Sequence, residues 1–187
     1  MKQACVASIG DDTDTLDVKI LLCAALVILG TAGSISHAAE PGANCAPILH
    51  AMAKTLQADH ATVSESGGNT THGITASGVN YLQVNNVWKV SKLTPKDNQD
   101  RSDENLRNAK SFVCQSLPDG ITDGVAVANY RTRTETDEGF VESTIAISKA
   151  TGLAIKVDNE IDSGSDGKSH YTTHYTYTGI RAPSVEK

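Results

Sequence analysis

The C-terminal part of the chain alternates apolar and polar residues with a period of two, a pattern that predicts β-strands. Val125, Val127 and the residues to about Glu135 form the first run. TDEG separates it from Phe140–Ser148, KATG separates that from Leu153–Ile161, and DSGSDGK leads into His170–Ile180. Near-even spacing with turn residues between the runs predicts a four-strand antiparallel meander. One face would collect Val125, Val127, Ile145, Ile147, Leu153, Ile155, Val157, Tyr175 and Tyr177. The other would collect Lys156, Asp158, His174 and Thr176, as in a sheet with one wet face.

Earlier segments extend the pattern. Thr62 to the Gly67-Gly68-Asn69 cluster reads as a strand and turn, and Thr70 to Ser77 as its partner. YLQV, Asn85-Asn86 and VWKV form the clearest hairpin, because asparagine tolerates the positive φ that a two-residue turn requires. Ile48, Met52 and Leu56 recur at four-residue steps and predict a helix from Ala46 to about Ala58, with Pro47 in its first turn. Residues 94–104 are polar and read as a surface loop. A short helix from about Ser102 to Val113 follows, with Ser102 or Asp103 as N-cap, an apolar edge of Leu106, Ala109 and Val113, and Cys114 at its end. LPDGITDG then offers two Asp-Gly turns. The fold class is α+β, mainly antiparallel β. Its apolar face must be covered by the two helices or by a ligand.

The N-terminus has a different character. Lys19, the apolar run Ile20–Gly30 and the small residues up to Ala38 are the three parts of a secretory signal, with cleavage expected before Ala39. The run is shorter than the roughly 20 residues a spanning helix needs. Four aspartates between Asp11 and Asp17 precede it, and the expectation is a misplaced start, with Leu16 or Val18 as initiator. Residues 1–38 are thus a signal peptide and 39–187 a single domain, exported to the periplasm or outside a Gram-negative bacterium. No transmembrane span is expected in the mature chain. The net charge of −6 argues against nucleic acid, whose phosphates require a basic face. Two cysteines survive cleavage, Cys45 and Cys114, and in an oxidising compartment an even pair implies a disulfide; two unpaired thiols or a metal site are the alternatives.

Candidate chemistry is sparse. His170 and His174 are four residues apart on a predicted strand, roughly 13 Å, too far to share one ion. DSGSDG resembles the opening of a calcium loop but has Gly164 at the third position and lacks the distal glutamate. Glu135, Asp137 and Glu142 flank one hairpin with no nucleophile nearby, and no phosphate loop or dinucleotide fingerprint is present. No metal, cofactor or catalytic residue is expected, and the chain reads as a non-enzyme. Tyr81, Trp88, Tyr175 and Tyr177 hold much of the scarce aromatic supply. With Val125, Val127, Ile145, Ile147 and Ile155 they are the expected lining of an apolar cavity under the sheet, with core packing as the plain alternative.

The helix after Cys45, YLQVNNVWKVS, VANY, ISKATGLAIKVDNEID and the closing YTYTGIRAP together resemble the LolA/LppX-like periplasmic proteins over residues 45–183. The resemblance implies a curved, half-open barrel-like sheet with two helices on its concave face, and a hydrophobic or lipid-like ligand. The Arg-Pro-Gly-aromatic motif of the lipoprotein carriers has no match; THGITASGVNYLQV stands in its place. A binder of an apolar small molecule or lipid is therefore the first expectation. A structural or interaction module that joins an envelope protein through a sheet edge is the second, and a small hydrolase the third.

Overall fold

The computed structural model describes residues 43–164 and 167–185. The expected signal peptide lies outside the described residues, as do Ser165 and Asp166 of the DSGSDG loop. A 3-10 turn, Ala43–Cys45, leads into α1 (Ala46–Gln57), with a proline in its first turn as expected. Two hairpins follow: β1 (His60–Ser66) with β2 (Asn69–Ala76), and β3 (Val79–Val84) with β4 (Val87–Val90). Asn85 and Asn86 both take positive φ, 52° and 63°, the geometry that a two-residue turn demands.

The next segment departs from expectation. Residues 94–104 are not a loop. They enter α2, which runs Pro95–Arg107 and ends well before Val113. Its start is a reciprocal cap: the Thr94 hydroxyl accepts from the Asp97 amide, and the Asp97 carboxylate accepts from the Thr94 amide at 2.7 Å. Pro95 occupies the first turn, where its missing N–H costs nothing. Val113 and Cys114 belong to a strand, β5 (Ser111–Thr122). Pro118 and Asp119 do not reverse the chain; they form a bulge within β5, and only Asp123-Gly124 makes the turn into β6 (Val125–Glu135).

The meander then runs through β7 (Phe140–Ser148), β8 (Ala154–Asp162) and β9 (Lys168–Thr176), the last beginning before His170 and ending four residues short of the expected Ile180. All nine strands form one antiparallel sheet in the order β4-β3-β2-β1-β9-β8-β7-β6-β5, curved but not closed. The α1 residues Ile48 and Ala51 pack on its concave face, against Ile145, Ile147, Ala154 and Val157. Cys45 and Cys114 are joined by a disulfide that ties the start of α1 to β5. At the other end of the helix, Thr55 is fully buried and accepts the Ala154 amide at 2.9 Å, while Lys54 Nζ donates to the Thr151 carbonyl at 2.6 Å. No helix among the described residues is long and apolar enough to cross a membrane.

Candidate functional site

On the concave face, apolar side chains of the sheet converge beneath α1. Directly opposed residues in antiparallel strands share a face, so the register assigns each side chain. Tyr130, Ile145, Val157 and Thr173 make one rung across β6 to β9 on the helix side. The next rung, Thr132, Ser143, Asn159 and Tyr171, is polar, and Thr132 and Asn159 are buried. Ser143 donates to Asn159 Oδ1 at 2.6 Å, and Ser64 and Thr173 hydroxyls meet at 2.9 Å. The helix side is therefore apolar under α1 and lined by neutral hydroxyl and amide groups beyond it.

The nine residues expected to line one cavity do not share a face. Ile145, Ile147 and Tyr175 belong to the cluster under α1. Val127 and Ile155 form a second cluster with Ala146, joined by Val125 and Tyr177. Two causes act. Tyr130 opposes Ile145 while Val127 opposes Ser148, so the β6–β7 register sets Val125 and Val127 away from Ile145. A bulge, in which Ala146 opposes Lys156 but Ile147 opposes Ala154, leaves Ile155 unpaired and turned to that same other face. Tyr81 and Trp88 are also on the outer face. Ala61 opposes both Ile74 and Thr176, and Ile74 opposes Tyr81, so Tyr81 shares the face of Thr176 and not that of Tyr175. Trp88 opposes Gln83, two residues from Tyr81.

Sequence reasoning missed His60. It is buried beside Tyr175, ring centroids 5.6 Å apart, and its Nδ1 lies 2.7 Å from the Ala58 carbonyl. Burial holds its imidazole below the ordinary value, against the opposing pull of the Ala58 carbonyl and Asp59. Burial likewise pushes the Tyr175 and Tyr171 phenols up, and Tyr177 up to about 12 despite a hydrogen bond with Thr55. The sole signal was position: a histidine after a helix end, opening a strand, is an ordinary sequence feature.

The polar part of the outer face is laced by surface pairs. Arg133 reaches Glu135 at 3.0 Å and Glu142 at 3.7 Å, and its guanidinium lies 3.7 Å from the Phe140 ring centre. Asp137 pairs with Lys110 at 2.6 Å. His170 and His174 stand on β9, and His174 Nδ1 lies 3.1 Å from Asp123 Oδ2. Among the described residues no three His, Cys, Asp or Glu side chains are grouped to hold a metal. Two hollows open at the far rim of the sheet. One of about 420 Å³ lies between Glu65, Asn69, His170 and Thr172, and one of about 320 Å³ between Phe140, Ile161, Lys168 and His170. Neither lies under α1.

No family model matches the sequence, and no curated protein matches it. Solved structures do align. Lipoprotein LppX of Mycobacterium tuberculosis is 8% identical over 77% of this chain and 100% of its own, with a TM-score of 0.46. LprF of Mycobacterium bovis is 11% identical over 77% and 98%, TM-score 0.43. MucB is 11% identical over 76% of this chain and 62% of its own, TM-score 0.48. Each of the three is a partial likeness at low sequence identity.

Proposed function

We propose that the chain is a non-enzymatic binding protein of the cell envelope that takes a hydrophobic or lipid-like ligand on its concave face. One observation carries the reading: the apolar floor of Ile145, Ile147, Ala154 and Val157 is roofed by α1 alone, while α2 buries only Pro95. α2 can therefore be displaced at small cost, and the ligand would reach the floor past it, alongside α1, whose start the disulfide holds. The ligand's apolar part would lie on this floor and its polar end against Thr132, Ser143 and Asn159. Ile145, Ile147 and Tyr175 are the proposed contacts. Val125, Val127, Ile155, Tyr81 and Trp88 support the sheet from elsewhere, and Tyr177 closes the end of α1 by donating to the Ala154 carbonyl.

Native mass spectrometry of the chain purified without detergent tests this, together with titration of a fluorescent long-chain fatty acid. Bound mass, or saturable fluorescence weakened by Ile147→Asn, supports the reading. A chain free of bound mass whose fluorescence does not saturate, even with α2 loosened by Pro95→Gly, sinks it.

A further inference from the structure

An open sheet has two edges, and these two are built differently. β4 is four residues long and carries Lys89, with Lys92 just beyond it. Shortness and lysine are the usual devices that keep an edge from pairing with another chain. β5 is twelve residues long, and its stretch Ser111–Leu117, SFVCQSL, has neither charge nor proline; Pro118 and the bulge come only afterwards. Among the described residues no strand lies on its outer side, which leaves about half of its backbone N–H and C=O groups without a strand partner there. Val113 is 60% exposed, and Gln115 is exposed beside it. Unpaired backbone in extended conformation is matched by one kind of occupant, another strand.

We propose that two copies of this chain join here, β5 against β5, antiparallel about a two-fold axis through Cys114. Symmetry restricts the register. An axis perpendicular to the sheet keeps each face on its own side, and opposed residues share a face, so the residue on the axis must meet its own copy. Centring on Cys114 engages all seven residues: Ser111 meets Leu117, Phe112 meets Ser116, and Val113 meets Gln115. The flanking charges agree. Lys110 precedes the stretch and Asp119 follows it, so antiparallel pairing sets each lysine near the second copy's aspartate, whereas parallel pairing would set like beside like. In the single chain these two pair with Asp137 and Lys149 at the surface, contacts weak enough to exchange. This surface is independent of the concave face.

Sedimentation equilibrium over a concentration series provides the test, with two double variants at the exposed positions. Val113→Glu with Gln115→Glu opposes like charges at both symmetry-related contacts, and dimer affinity should fall about tenfold or more. Val113→Lys with Gln115→Glu opposes unlike charges there and should restore it. In the wild type, amide protection of Ser111–Leu117 should rise with concentration, a readout that needs no variant. A wild-type chain that stays monomeric to about 1 mM overturns the proposal, as it would if this edge served a different protein. Equal dimerisation by the glutamate pair, or failure of the lysine–glutamate pair to recover it, also overturns it.

Discussion

The strands β6–β9 and β1–β4 follow the same two-residue alternation in opposite phase. In β7 and β8, Ile145, Ile147 and Val157 point toward α1. In β1 to β4, Val63, Ile74, Tyr81 and Trp88 point away from it, and the helix side carries Thr62, Ser64, Thr75 and Asn80, with Leu82, Val84 and Val87 toward the β4 edge. The two regions are therefore held together differently. The first buries aliphatic surface under a helix. The second relies on hydrogen bonds: Thr75 donates to Asn80 Oδ1 at 2.8 Å, Asn80 donates to the Leu93 carbonyl at 2.8 Å, and Ser64 meets Thr173 across the junction. A roof over one half suffices for a nine-strand sheet when the other half satisfies its helix-side polar groups internally.

The largest expected effect bears on the roofed half. Cys45→Ser with Cys114→Ser removes a link spanning 69 residues and should cost about 4 kcal/mol in urea unfolding. Hydrogen exchange should quicken in α1, β7 and β8 well before β2 and β3; equal quickening breaks the comparison. Next, Ile147→Ala should cost about 3 kcal/mol, and Ile74→Ala on the outer face about 1 kcal/mol. Matching midpoints for the two variants would show the halves to be packed alike. Thr94→Ala removes the cap of α2 and should cost about 1 kcal/mol, read as lost helical ellipticity with the sheet unchanged. The smallest effect is a pH dependence. The His60 value lies below its ordinary 6.5, so the unfolded chain takes up the proton first. That stabilisation is complete above pH 6.5 and is lost as pH falls through the lower folded value. His60→Gln should flatten this part of the stability profile.

The hairpins and α1 were legible because each has a local cause: Asn85-Asn86, Gly67-Gly68 and the Ile48–Met52 spacing act within a few residues. α2 was not, because a helix that buries only Pro95 leaves no apolar period, and its one marker, Thr94 with Asp97 three positions on, lies within a run of polar residues that also suits a loop. The bulge at Pro118 looked like a turn because Asp-Gly serves both. The site was half legible. Alternation reveals which residues share a face within a strand, but which face meets the helix depends on register with distant strands. Tyr81 and Trp88 were misassigned for that reason, and Ile155 because one unpaired residue shifts the phase.

One pairing in this sheet joins the chain's beginning to its end. β1 lies between β2 and β9, with Ala61–Ser66 set against Tyr171–Thr176 across more than a hundred residues of sequence. Both flanking sets of strands can form as local hairpins within microseconds, but their junction must wait for a long loop to close. Two separate sheets, each with a raw edge, are thus the expected species until β9 is available. A chain emerging N-terminus first cannot complete this sheet before β9 has emerged, which makes that strand the step that commits the fold.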